Sequence, residues 1–207
     1  MVGFYNYTVI LTYLGVASAI SGVGLAFYGK VSMAIVCLMI SGFCDLFDGT
    51  IARMHKRDDL ERKFGIQIDS LADLICFGVL PAAIGYAVGM TRWYQAAALI
   101  VYALAALIRL AYYNVTEDVL QSSENARRTH YDGLPVTTSA LFIPLLYTLR
   151  PVLGESFAYV YMAWLLMLAA AFLTKFKVPK PGLPGMIACA ALGAMILVFL
   201  IIGWNQQ

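Results

Sequence analysis

Seven apolar runs separated by short polar connections dominate the chain, at about 8–28, 32–52, 66–89, 94–115, 135–149, 157–174 and 183–203. An α-helix rises about 1.5 Å per residue, so roughly twenty apolar residues cross a bilayer core of about 30 Å. The pattern predicts an all-α integral membrane protein, a bundle of six core transmembrane helices with a seventh span at the C-terminal end. We read residues 1–207 as one membrane domain, with the core at about 8–180 and the extra span at about 183–203. The fifth run is short, and Pro151 lies just beyond it.

Composition agrees with this reading. The chain is 61% hydrophobic and only 13% charged, and its mean hydropathy is +0.78. Soluble domains are about half apolar and a quarter charged, so a soluble globular domain is excluded. The net charge of +2 carries little information, but its placement does. Arg53, Lys56, Arg57, Arg62 and Lys63 fall in one connection, Arg127 and Arg128 in a later one, and Lys175, Lys177 and Lys180 in another. The intervening connections hold Lys30, Arg92 and Arg150. By the positive-inside rule the first group is cytoplasmic, which places the N-terminus inside and the C-terminus outside. The first apolar run lacks a basic leader, so a cleavable signal peptide is not expected. Cys37, Cys44, Cys76 and Cys189 form no CxxC pair and are expected to pack as small buried hydrophobes.

Against this apolar background, CDLFDGTIAR (Cys44 to Arg53) and GIQIDSLAD (Gly65 to Asp73) place four aspartates in predicted spans. Ionisable residues within spans are costly and mark function. Asp45 and Asp48 are three apart, and Asp69 and Asp73 four apart, so each pair lies on one helical face. The two spans run antiparallel across a basic loop. Asp45 and Asp73 then share a depth of roughly 12 Å, and Asp48 and Asp69 one of roughly 6–8 Å. Four carboxylates so close together need a counter-charge that Arg53 alone does not supply. Hard divalent cations bound through oxygen supply it, and Mg²⁺ typically joins carboxylates to substrate phosphates. The glycines leave room for a phosphate, and Arg53 at the rim can contact its oxygens. The expectation is a metal-bound diphosphate pocket at headgroup depth. A proton- or cation-translocating cluster and plain polar contacts between helices are the alternatives. An EF-hand calcium loop fails on spacing.

The run Asp45-x2-Asp48-Gly49-x2-Ala52-Arg53-x11-Gly65-x3-Asp69-x3-Asp73 resembles the signature of the CDP-alcohol phosphatidyltransferases. Its linker of eleven is slightly longer than the family's commonest form. The resemblance implies transfer of a phosphatidyl group from a CDP-linked lipid to an alcohol, with release of CMP. It implies Mg²⁺ or Mn²⁺, two divalent ions, held by Asp45, Asp48, Asp69 and Asp73. Asp73 would also act as general base on the acceptor hydroxyl. Asp45, Asp48, Gly49, Ala52, Arg53 and Gly65 would line the CDP and diphosphate site, and Thr12 matches a family threonine near the nucleotide. The family likeness also implies a homodimer among membrane lipids, and the charge pattern a site facing the cytoplasm from the cell membrane.

Further segments resemble the integral-membrane phosphatidylserine synthases of that family. They are DSLADLICFGVLPA (Asp69 to Ala82), LIRLAYYNV (Leu107 to Val115), YDGLP (Tyr131 to Pro135) and TKFKVP (Thr174 to Pro179). Cys76 replaces a serine common in that branch, and Tyr112 stands where arginine is common. The implied substrates are CDP-diacylglycerol and L-serine. Arg109 is expected to face the pocket and bind the serine carboxylate or a lipid phosphate, with an ion pair to an aspartate as the alternative. Asn114 and Lys177 are further acceptor-site candidates, although a helix-end role for Asn114 and headgroup attraction for Lys175 and Lys177 are the plainer readings. His55 and His130 carry no metal-ligand pattern, and His55 to Lys63 reads as a solvated surface element. Another alcohol acceptor (glycerol 3-phosphate or inositol phosphate), an archaeal-type lipid donor, and an ion- or proton-coupled transporter are the competing functions.

Overall fold

A computed structural model describes residues 9–52, 58–122, 130–179 and 183–204. Their backbone is helical apart from short connections and one pair of three-residue strands. Helix α1 is Ile10–Phe27 and α2 is Val31–Ala52, joined by a turn at Gly29. Helix α3 (Asp59–Asp73) continues through a π-helical turn, Leu74–Val79, into α4 (Leu80–Ala87). The long α5 is Trp93–Ser122. Strand β1 (His130–Asp132) leads to α6 (Ser139–Tyr147) and the short α7 (Arg150–Leu153). Then come α8 (Phe157–Leu173), strand β2 (Lys177–Pro179) and α9 (Leu183–Trp204).

Among the described residues, four helical stretches are long and apolar enough to cross a membrane: Ile10–Phe27, Leu60–Ala87, Trp93–Glu117 and Arg150–Leu173. Val31–Phe47, Val136–Tyr147 and Ala188–Leu200 are shorter apolar helices. Each of these stretches overlaps one apolar run of the sequence, with ends that differ by up to seven residues. Helix boundaries depart from the hydropathy pattern at polar ends. Helix α3 begins at Asp59 inside the expected basic loop, so Arg62 and Lys63 are exposed on its first turns. Leu60, Glu61, Arg62 and Lys63 are all good helix formers, so the helix extends into the charged segment.

Small residues join α1 to α2. Gly15, Ala19, Gly22 and Ala26 are buried along one stripe of α1. The close approach is fixed by hydroxyl to carbonyl bonds, Ser41 Oγ to Gly15 O at 2.9 Å and Ser18 Oγ to Cys37 O at 3.0 Å. Within hydrocarbon the apolar effect does not favour helix contact, so backbone proximity and such bonds carry the pairing. Larger side chains fill the centre of the bundle: Ile35 and Leu38 from α2, Phe77 and Leu80 from the third long helix, Tyr102 from α5, and Tyr161 and Phe172 from α8. Helix α5 packs on α8, and α4 on α1. The expectation of buried cysteines holds for Cys44 and Cys76, but Cys37 is only half-buried and Cys189 is exposed. Much of α9 faces outward, since its neighbours α2 and α6 lie on one side only.

Candidate active site

The acidic pocket forms where α1, α2 and the third long helix meet. Each element contributes residues at helical spacing, which puts them on one face. Thr12 and Gly15 come from α1, Ser41, Cys44 and Asp45 from α2, and Asp69, Ala72 and Asp73 from α3. Cys76 and Phe77 of the π turn and Leu11 complete a pocket of about 200 Å³, its open mouth included. Thr12, placed near the nucleotide by resemblance, is buried in this wall. Gly15, Ser41, Cys76 and Phe77 are pocket residues that the aspartate motif does not include, and their spacing of three or four from Thr12, Asp45 and Asp73 is the signal that finds them; Cys44, next to Asp45, is three from Ser41.

One carboxylate oxygen from each of Asp45, Asp69 and Asp73 lies within 4.8 Å of the others. Ligands of an octahedral Mg²⁺ are about 3.0 Å apart when adjacent and about 4.2 Å when opposed, so these oxygens would have to draw together by side-chain rotation to share an ion. Three carboxylates at this separation repel and require shared protons or a cation. An all-oxygen donor set fits a hard divalent ion and not a soft one.

Asp45 meets Asp73, as their expected shared depth requires, and Asp69 joins the same group. Asp73 ends the 15-residue α3, about 22 Å from its start. Asp45 is only about 10 Å from the end of α2 at Ala52. Measured from the acids, α3 is therefore the longer arm. Asp48, Gly49 and Ala52 lie further along the α2 backbone. Their side chains, and all of Arg53, lie outside the described residues. Gly65 is on α3, one turn before Asp69.

The candidate acceptor residues form a second group. Arg109 is buried, with 7% of its surface exposed, and its Nε donates to the Leu134 carbonyl at 3.3 Å. Arg109 is not among the residues lining the acidic pocket. Asn114 lies inside α5, which runs on to Ser122, rather than at a helix end. Its Nδ2 donates to Gln67 Oε1 at 3.1 Å and its Oδ1 accepts from Ser70 Oγ at 2.7 Å. Both amide ends thus clasp α3 on either side of Asp69. Lys175 Nζ stands 4.9 Å from the centre of the Tyr112 ring. Lys177 belongs to β2, its side chain outside the described residues.

Three segments scattered along the sequence converge here. Strand β1 pairs antiparallel with β2, Tyr131 opposite Val178. Gly133 N donates to Phe176 O at 2.7 Å. Arg109 then ties the following residue, Leu134, to α5. The LIRLAYYNV, YDGLP and TKFKVP segments are one connected structure.

Fold and site define a polytopic helical membrane protein whose carboxylate pocket is of the kind that holds hard divalent cations. The sequence model described as CDP-alcohol phosphatidyltransferase matches residues 5–176, and the chain belongs to that family. It is similar to the CDP-diacylglycerol–serine O-phosphatidyltransferase of Saccharomyces cerevisiae, 39% identical over 54% of this chain and 41% of that protein. The protein of the same name from Mycobacterium tuberculosis is 27% identical over 70% of this chain and 50% of its own length. The archaetidylserine synthase of Methanothermobacter thermautotrophicus is 26% identical over 88% of this chain and 72% of that protein. The chain spans about half the length of the first two relatives.

Proposed function

We propose that the protein transfers the phosphatidyl group of CDP-diacylglycerol to the hydroxyl of L-serine, giving phosphatidylserine and CMP. The observation that carries this reading is the meeting of Asp45, Asp69 and Asp73 within 4.8 Å, inside a domain of the CDP-alcohol phosphatidyltransferase family. Serine as acceptor is supported by the names of the three relatives, each of which specifies serine or a serine lipid.

In this reading the serine oxygen attacks the lipid-linked phosphorus. Its proton passes to a carboxylate oxygen of Asp73, the P–O bond to the nucleotide breaks, and CMP leaves with the bonding pair. Asp45, Asp48, Asp69 and Asp73 would hold two Mg²⁺ or Mn²⁺ ions, which when bound neutralise the diphosphate and the departing CMP. Gly49, Ala52, Arg53, Gly65 and Thr12 line the CDP side, with Arg53 contacting phosphate oxygens. Arg109, Asn114 and Lys177 belong to the acceptor side. Arg109 acts there from behind the Leu134 carbonyl, and Asn114 through α3. The chemistry is direct displacement without a covalent enzyme intermediate. The domain has six core spans and a seventh, works as a homodimer in the cell membrane, and opens to the cytoplasm and sideways to lipid.

A second reading concerns the donor. The archaeal relative aligns over 88% of the chain, against 54% for the yeast protein, which favours testing an ether-lipid donor beside the diacyl one.

The test is CMP release by purified protein in detergent, with each CDP-lipid and Mg²⁺ or Mn²⁺, and with serine, glycerol 3-phosphate or inositol phosphate. Serine-dependent release with a phosphatidylserine product, abolished by EDTA and restored by metal, is expected. Release with another alcohol overturns serine as acceptor. Silence with every donor and acceptor, together with ion flux in the absence of CDP-lipid, returns the transporter reading.

A further inference from the structure

The third long helix carries a wide turn directly after Asp73. Leu74–Val79 is π-helical, and Leu80 N donates to Ile75 O, five residues back instead of four. Each such turn adds one residue to the helical path and rotates the downstream part of the helix by about 100°. Upstream of the turn, Asp69 and Asp73 face the pocket, while downstream Leu80 and Ile84 are fully buried in the core.

Sequence supplies part of the cause. Residue 81 is proline and has no backbone N–H, so the Phe77 carbonyl lacks its ordinary α-helical donor. In hydrocarbon an unsatisfied carbonyl is expensive. The Tyr102 hydroxyl of α5 fills the gap, donating to Phe77 O at 2.8 Å, with Tyr102 and Phe77 both fully buried. One turn on, the Tyr161 hydroxyl of α8 donates to Pro81 O at 2.9 Å. Side-chain hydroxyls of two neighbouring helices therefore hold the wide turn and the first turn of α4 after it.

A wide turn is not fixed by its own hydrogen bonds, since each five-residue bond can revert to a four-residue one and pass the extra residue along the helix. Migration toward the N-terminus draws Asp73 into the turn and swings its carboxylate away from Asp45. We propose that Tyr102 is a positioning residue for the acidic cluster: its hydroxyl pins the wide turn at Phe77 and so holds Asp73 within reach of Asp45 and Asp69. Tyr102 is not among the residues lining the acidic pocket. The inference rests on the reading that the three acids bind a divalent cation.

The experiment is Mn²⁺ titration of the full chain in detergent, with free Mn²⁺ read by EPR, beside thermal unfolding of the same samples. Asp45→Asn reports that the ion measured is the one at the cluster. Tyr102→Phe is expected to weaken Mn²⁺ about tenfold, as for loss of a residue that orients a metal ligand. Tyr102→Phe with Pro81→Ala returns an N–H to the Phe77 carbonyl. That double variant should recover thermal stability while its Mn²⁺ affinity stays low, because the helix closes to ordinary register. Pro81→Ala alone keeps the hydroxyl and should bind Mn²⁺ within about threefold of the parent, well short of the tenfold loss.

Parent-like affinity in the double variant, with or without a folded Tyr102→Phe, overturns the proposal and leaves the tyrosine a purely structural role. Equal loss in Pro81→Ala alone also overturns it, moving the role to the proline. A parent protein that binds no Mn²⁺ overturns the metal reading, and this inference with it. A parent that binds Mn²⁺ beside unaffected variants overturns this inference only.

Discussion

Gly133→Ala tests whether the β1–β2 clasp supports the acceptor side. Gly133 has φ +80°, and a Cβ there would lie 2.8 Å from the Thr174 carbonyl oxygen and 3.4 Å from that of Phe172. Holding an L-residue in this conformation costs about 1–2 kcal/mol. The clash is with backbone, which cannot swing aside, and adds about 1–3 kcal/mol. Gly29 separates the two contributions, because its φ is +72° but nothing lies within 4 Å of an added Cβ. Gly29→Ala should carry the conformational cost alone. For a chain of this size each kcal/mol moves the unfolding midpoint by about 2–4 °C, so Gly133→Ala should melt roughly 2–12 °C below Gly29→Ala at a matched scan rate. Gly133 N also donates to Phe176 O, and the next carbonyl accepts from Arg109. In the CMP-release assay Gly133→Ala should therefore raise KM for serine more than KM for CDP-lipid, while Gly29→Ala changes neither. Equal melting of the two variants would refute the steric argument. An unchanged serine KM in a clearly destabilised Gly133→Ala protein would separate the clasp from acceptor binding.

Three further outcomes are expected. Asp73→Asn should abolish turnover while largely sparing CDP-lipid binding; near-normal CMP release would remove Asp73 from the base role. Asn114→Leu removes both bonds to α3 and should lower stability by about 1–2 kcal/mol, with Mn²⁺ affinity falling alongside; unchanged affinity in EPR titration would mean that α3 keeps its phase without the clasp. Ser41→Ala loses the bonds to Gly15 O and Cys37 O and should cost about 1 kcal/mol, read as a few degrees of melting midpoint. A neutral result there would leave the α1–α2 pairing to packing alone.

The sequence by itself determined the solvent in which this protein folds and the chemistry of its centre. Apolar runs of bilayer length have few ways to satisfy their backbone except as helices, and carboxylates three and four residues apart on such helices must share a face. Those are local constraints, and they emerge from spacing alone. Depth was different. Counting residues pairs Asp45 with Asp73, which do meet, but gives no sign that Asp69 joins the same two. Asn114 is legible as an acceptor-site candidate, but not at a helix end: it lies inside α5, and its bonds to Gln67 and Ser70 are contacts made across more than forty residues of sequence. Pro81 announced a missing N–H, but only packing could select Tyr102 from among the tyrosines to answer the orphaned carbonyl. Spacing along one helix is fixed by 3.6 residues per turn, whereas the rotation and height of one helix against another depend on side chains distant in sequence, and this site is assembled from those relations.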